Sequence, residues 1–136
     1  MAWVVDTCIL IDIADADPAF AAASASMLDS RRTNGLIICP VSYVELSPVF
    51  DGDNTRQDLF LHHLQVVCPP SFTSSRFLAA HAAWNRYVQS RRRQKIPKRP
   101  VADVLIGAFA EGHDGLITRN PADFRQVFPT LNILSP

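Results

Sequence analysis

Glycine is scarce: the 136-residue chain has five, and none forms a G-x-x-x-x-G-K-[ST] loop or a G-x-G-x-x-G turn after a strand. A nucleotide-cradling loop is therefore not expected. No serine occupies a G-x-S-x-G elbow, so the α/β-hydrolase type of nucleophile is missing as well. The three cysteines, Cys8, Cys39 and Cys68, stand beside apolar residues and form no C-x-x-C pair. Their odd number and spacing argue against a disulfide framework or a zinc site and fit small buried hydrophobes in a reducing compartment. The four histidines, His62, His63, His81 and His113, lack metal-ligand spacing and read as surface or core-edge residues. Net charge is absent too, since 13 Lys and Arg balance 13 Asp and Glu. That excludes a general cationic coat for polyanions and leaves only local patches. No run reaches the roughly 18 apolar residues of a membrane span, and no basic start precedes an apolar stretch, so no signal peptide is expected. The expectation is a soluble, cytoplasmic protein.

Hydrophobic residues make up 48% of the chain, enough to bury a core in one domain spanning residues 1–136. Short β-branched runs alternate with helical patterns. Strands are expected at Ala2–Val5, Leu36–Cys39, Val66–Cys68, Leu116–Thr118 and Leu131–Leu134. Helices are expected at Cys8–Ala14, from Asp17-Pro18 to Arg32, from a Ser42 cap toward Phe50, at Thr55–Leu64, Thr73–Arg93, Val101–Ala110 and Pro121–Val127. In the fourth helix Leu59, Phe60 and Leu64 have the spacing of a buried face, and in the fifth Phe77, Leu78, Ala82, Trp84 and Val88. Strands alternating with helices make an α/β fold with a parallel sheet between two helical layers.

In such a sheet, sites form beyond the carboxyl ends of the strands, and that rule sorts the acids. Asp6 ends the first strand directly after Trp3-Val4-Val5, where an uncompensated charge is costly. Glu45, Asp103 and Asp123 each read as lying in the first turn of a helix. Singly, these have structural explanations: Ser42-x-x-Glu45 matches a capping box, Asp103 and Asp123 complement helix dipoles, and Asn120-Pro121 is a sound helix start. Jointly, carboxylates gathered at one sheet edge raise one another's pKa unless a cation lies between them. No lysine or arginine adjoins Asp6, Glu45 or Asp103 in sequence. A hard divalent ion such as Mg²⁺ or Mn²⁺ is the natural counter-charge, and it can activate water and stabilise charge on a phosphoryl oxygen. The basic run Arg91, Arg92, Arg93, Lys95, Lys98 and Arg99 precedes Asp103. It reads equally as a solvated helix end or as a rim that holds a polyanion beside the acids.

These segments resemble PIN-domain proteins. Val4-Val5-Asp6-Thr7-Cys8-Ile9-Leu10-Ile11-Asp12 is similar to the family's opening strand and turn, and Pro40-Val41-Ser42-Tyr43-Val44-Glu45-Leu46 to its glutamate-bearing second motif. Ala102-Asp103-Val104-Leu105-Ile106-Gly107-Ala108 resembles the third, and Leu116-Ile117-Thr118-Arg119-Asn120-Pro121-Ala122-Asp123-Phe124 the fourth. Phe128-Pro129-x-Leu131 resembles the last turn and strand. Size and motifs are most similar to VapC-type toxins of toxin–antitoxin pairs. The resemblance implies a three-layer α/β/α fold with a central, mostly parallel five-stranded sheet, an endoribonuclease dependent on Mg²⁺ or Mn²⁺, a homodimer and a cognate antitoxin. By the same resemblance Asp6, Glu45 and Asp103 would ligate metal or position water, with Thr118 a polar neighbour. Many relatives carry aspartate directly after Thr-Arg, where this chain has Asn120. Asp123 is the preferred fourth acid, with Asn120 assisting through its carbonyl. The alternative is a PIN-like module that binds RNA or protein without cutting. A receiver-like or phosphatase-like domain fits less well, because the lysine it needs after the fourth strand is missing. Phe20, Met27, Phe50, Phe60 and Leu61 are candidates for a partner groove, although core packing accounts for most of them.

Overall fold

The computed structural model describes residues 2–69, 72–94, 96 and 99–136. Lys95 and Lys98 of the basic run, with Pro70 and Pro97, lie outside the described residues. The strands are β1 (Trp3–Val5), β2 (Leu36–Ile37), β3 (Val66–Val67), β4 (Gly115–Ile117) and β5 (Ile133–Leu134); β4 starts one residue earlier than expected and the others are shorter than expected. The helices are α1 (Thr7–Ala14), α2 (Ala21–Arg31), α3 (Pro40–Glu45), α4 (Asn54–His63), α5 (Ser74–Arg93), α6 (Val101–Glu111) and α7 (Pro121–Val127). The sheet order is β3-β2-β1-β4-β5 and every pairing is parallel. The expected parallel sheet is therefore complete, with no antiparallel strand among the described residues.

Strand alternation assigns the two faces. Trp3 and Val5 point into the cluster holding Ile9, Leu10, Leu28 and Leu61 from α1, α2 and α4. Val4 points the other way, to Ile106, Phe109 and Phe124 of α6 and α7. Leu116 and Ile117 of β4 repeat the split, so the period of two in a central strand feeds both helical layers. The result is a three-layer α/β/α sandwich with β1 at its centre. The chain runs from β1 outward to β3, then returns to place β4 on the other side of β1. The strand order reverses between β1 and β4, which makes that boundary the switch point where sites form.

Several helix boundaries depart from expectation. Asp17 does not cap α2. Its carboxylate accepts from the Ala19 and Phe20 amides, closing a turn that delays the helix to Ala21. Ser42 does not cap α3, which starts at Pro40 with Cys39 as N-cap. In α4 the buried residues are Gln57 and Leu61, while Leu59 is exposed; the Gln57 amide donates to the Tyr43 carbonyl at 2.8 Å, so a polar residue takes the inward position. The face of α5 is also different. Ala80, Ala83 and Tyr87 are buried, whereas Phe77 and Leu78 are exposed. Small residues are needed there because α5 packs closely along α6, against Val104 and Ala108. Of the groove candidates, Phe50 and Leu61 are core, Met27 and Phe60 pack against it, and Phe20 is exposed.

Gly107 lets the end of the chain dock on α6. A Cβ there would fall 2.2 Å from a ring carbon of Phe128, which is itself buried. Alanine favours helix over glycine by about 1 kcal/mol, but overpacking a core costs about 1–3 kcal/mol. Gly107→Ala is expected to lower unfolding free energy by about 1–2 kcal/mol in urea titrations, against the helix-propensity trend.

Candidate metal centre at the switch point

Asp6 follows β1 and caps α1, with its Oδ1 accepting from the Thr7 amide at 2.8 Å. Its Oδ2 accepts from the Thr118 hydroxyl at 2.7 Å and from the Cys8 thiol at 3.4 Å. Thr118 follows β4, so one hydrogen bond bridges the two strands that flank the reversal. Thr118 is fully buried and Asp6 only 6% exposed. Burial holds the Asp6 carboxyl above the usual carboxylate range; its hydrogen bonds pull it down and the Glu45 charge adds to the rise.

Glu45 stands in the last turn of α3, not in the first turn of a helix capped by Ser42. The expected capping box is replaced by a contact between elements. Ser42 and Glu45, three residues apart, share a helix face that meets the start of α1. The Thr7 hydroxyl donates to Glu45 Oε1 at 2.7 Å and lies 2.9 Å from Ser42 Oγ. Thr7 thereby links the amide on Asp6 to the carboxylate of Glu45.

Asp103 does open α6, as expected. Its carboxyl is pushed up to about 6, chiefly by burial, then by the charges of Asp6 and Glu45, with Arg99 opposing. The Asp6 and Glu45 charges thus both bear on Asp103, and the Glu45 charge bears on Asp6. Asp123 is a smaller contributor to the rise at Asp103, and its carboxylate is paired with the Arg99 guanidinium. Arg99, Asp103 and Asp123 line one small cleft with Val104, Phe124 and Phe128. The exposed Asn120 reaches the site through its backbone, its amide donating to Thr118 Oγ1 at 3.1 Å.

The donors suit a hard ion, being carboxylate oxygens whose ionised forms are penalised by burial and by each other. Among the described residues, no three His, Cys, Asp or Glu side chains stand close enough to enclose an ion. Mg²⁺ does not require such a cage, since it commonly keeps several waters and takes one or two protein carboxylates.

The basic run divides. Arg99 is inside the site. The Arg76 guanidinium, near the start of α5, donates to the Ala108 carbonyl toward the end of α6, and the Arg99 amide, just before α6, donates to Tyr87 near the end of α5. The helices are antiparallel, so Arg91, Arg92 and Arg93 sit exposed at the end of α5 where α6 and Asp103 begin. His62, His63 and His81 are exposed, and half-buried His113 packs edge-on against Phe109. The cysteines are free; burial pushes Cys8 and Cys39 up to about 12.

The PIN domain family model matches residues 3–127. The chain belongs to the PIN domain family. Comparison with curated proteins finds no match. A solved structure of VapBC2 from Rickettsia felis, bound to a DNA fragment from their promoter, is similar at a TM-score of 0.71 and 17% identity, covering 99% of this chain and 98% of that one. That likeness shows the PIN fold. Sequence reasoning missed Thr7 and Ser42 as partners of Glu45, and missed the pairing of Asp12 with Arg119. A signal for the last was present: Asp12 is the single charge in Thr7–Ala14, an otherwise apolar helix, and a buried charge needs a partner.

The raised carboxyl of Asp103 makes stability depend on pH. Because its folded value lies above the unfolded one near 3.8, its favourable contribution is complete below about pH 4. That contribution is lost as pH rises through about 6. In chelator-treated protein, Asp103→Asn is expected to gain stability relative to wild type as pH climbs from 4 to 7, then level off. Chemical unfolding at pH 4.5 and 7.5 measures it, and a pH-independent difference would contradict the assigned shift.

Proposed function

We propose that this PIN domain is a Mg²⁺- or Mn²⁺-dependent endoribonuclease of the VapC toxin type, acting as a single domain over residues 1–136. The observation that carries the proposal is geometric: Thr7 joins Asp6 to Glu45 beyond the end of β1, and Asp103 opens the α6 helix that packs on β1 and β4. Acids from three separate elements would serve the edge where a parallel α/β sheet forms its sites. Asp6 and Asp103 would hold the ion, with Glu45 beside them and Asp123 and Asn120 at the margin. When bound, the divalent ion supplies activated water and stabilises charge on the phosphoryl oxygens. Thr118 and the Thr7 amide hold the Asp6 carboxylate in a fixed orientation. Asp103 or a neighbouring acid would orient the attacking water. Arg99 would meet the scissile phosphate at the edge of the cleft, and Arg91, Arg92 and Arg93 the flanking phosphates. Lys95 and Lys98 belong to the same proposed RNA contact.

The toxin assignment brings a homodimer, a cognate antitoxin and a cytoplasmic setting as parts of the proposal. A partner arginine entering the acidic cleft would compete with the metal there. The absence of any described helix long and apolar enough to cross a membrane is compatible with this. A second reading, a PIN module that binds RNA or protein without cutting, draws support from the Asp123–Arg99 pair, which neutralises the fourth acid.

The purified chain is expected to cleave RNA with Mg²⁺ or Mn²⁺ and to stop in EDTA. Asp6→Asn and Asp103→Asn are expected to lower the rate at least about 100-fold while the folded circular dichroism spectrum is kept. Cleavage undiminished in EDTA or in both variants rules out the proposed chemistry. RNA binding without Mn²⁺ binding in calorimetry would favour the non-cutting module.

A further inference from the structure

Arg119 lies between Thr118 and Asn120, but its side chain leaves the acidic site. Its Nε donates to Asp12 Oδ2 at 2.8 Å and its Nη2 to Asp12 Oδ1 at 3.1 Å. This is a forked pair, the geometry that fixes both partners most firmly. Asp12 is 4% exposed, so the pair is anchored inside the protein. The guanidinium carbon lies 4.3 Å from the centre of the Phe20 ring, which covers the other side of the group. One edge on Asp12 and one face on Phe20 hold Arg119 away from a substrate phosphate.

What the pair does fix is the segment after β4. Asp12 and Cys8 are four residues apart on α1 and therefore share a face. The Arg119 side chain ties the segment to α1 by its two hydrogen bonds to Asp12, and on the same face the Cys8 sulfur lies 3.8 Å from Thr118 Oγ1. Between Arg119 and β4 lies Thr118, whose hydroxyl donates to Asp6 and accepts from the Asn120 amide.

We infer that Arg119 is a positioning residue: its forked pair with Asp12, closed by Phe20, holds the Thr118 hydroxyl on Asp6 and so orients the carboxylate for a divalent ion. The inference rests on the proposed reading of the site as a metal centre. The role differs from that of Arg99, which touches an acid of the cleft itself.

Arg119→Gln tests the idea, although it leaves Asp12 buried and unpaired and could impair folding. The double variant Asp12→Asn with Arg119→Gln removes both charges and keeps two hydrogen-bonding groups in place. Without added metal, exchange of the Asn120 amide is expected to speed up at least about tenfold in the double variant, while the Val5 and Ile117 amides of the sheet stay protected. Mn²⁺ affinity, read from the free-ion electron paramagnetic resonance signal, is expected to weaken about 10–100-fold. Turnover of RNA should fall with KM unchanged. A folded double variant with wild-type Asn120 protection and wild-type Mn²⁺ affinity overturns the inference. Asp103→Asn separates the two levels of the argument. If it binds Mn²⁺ and cuts RNA like wild type, the metal-centre reading fails; if it loses both while the double variant keeps both, only the positioning role fails.

Discussion

The arrangement depends on keeping one carboxylate, Asp6, buried at the end of the central strand. Such a group is tolerated only if its oxygens are satisfied. Three donors do this: the Thr7 amide, the Thr118 hydroxyl and the Cys8 thiol. The hydroxyl comes from the strand on the far side of the order reversal, 112 residues away in sequence. The local requirement of one side chain thus holds β1, β4 and the start of α1 in register at their carboxyl ends. Glu45 is drawn in through Thr7, and Asp103 through the α6 helix that packs on the β1–β4 half of the sheet. The stability and metal-binding effects anticipated for Asp103 follow from this proximity of buried charges rather than from Asp103 alone.

Much of this could be read from the sequence, because it depends on position along strands. Asp6 directly follows an apolar triplet, and the rule that sites gather beyond strand ends places it correctly without any knowledge of packing. Glu45 was identified but put in the wrong turn. The Ser42-x-x-Glu45 spacing fits a capping box as well as it fits a shared helix face, and only the neighbour, Thr7, decides between them. Asp123 was assigned as a free acid because Arg99 is 24 residues away in the chain, beyond the reach of local pattern. The metal role of each acid remains part of the functional proposal.

The inward faces of α4 and α5 were legible only in part, for a different reason, with Phe60, Leu64 and Trp84 packing on the core as expected. Hydrophobic spacing favours large residues, and in α5 it selects Phe77 and Leu78, which are exposed, beside Ala82, Trp84 and Val88. The close, antiparallel partner α6 instead admits Ala80 and Ala83. When two helices approach closely, volume at the contact outweighs hydrophobicity. Phe128 makes the same point at Gly107, where the absence of a side chain is what the packing requires. Complementarity of this sort is a property of pairs of elements and leaves no period in either one.

Zero net charge conceals a segregation of charge, and among the described residues the arginines nearest the acidic site are engaged elsewhere or stay in solvent. Arg119 is nearest in sequence to Thr118, but the fork to Asp12 commits it elsewhere. Arg99 reaches the cleft and pairs with Asp123, yet its charge lowers the Asp103 carboxyl less than burial, Asp6 and Glu45 raise it. Arg91, Arg92 and Arg93 stay in solvent at the end of α5, where screening limits their influence on buried groups. Among the described residues no cation is bonded to Asp6, Glu45 or Asp103, and the groups that these acids offer are carboxylate oxygens. In such a place a small divalent cation relieves more repulsion than any flexible side chain, because two charges arrive on one centre without the loss of rotamer freedom that a lysine or arginine incurs.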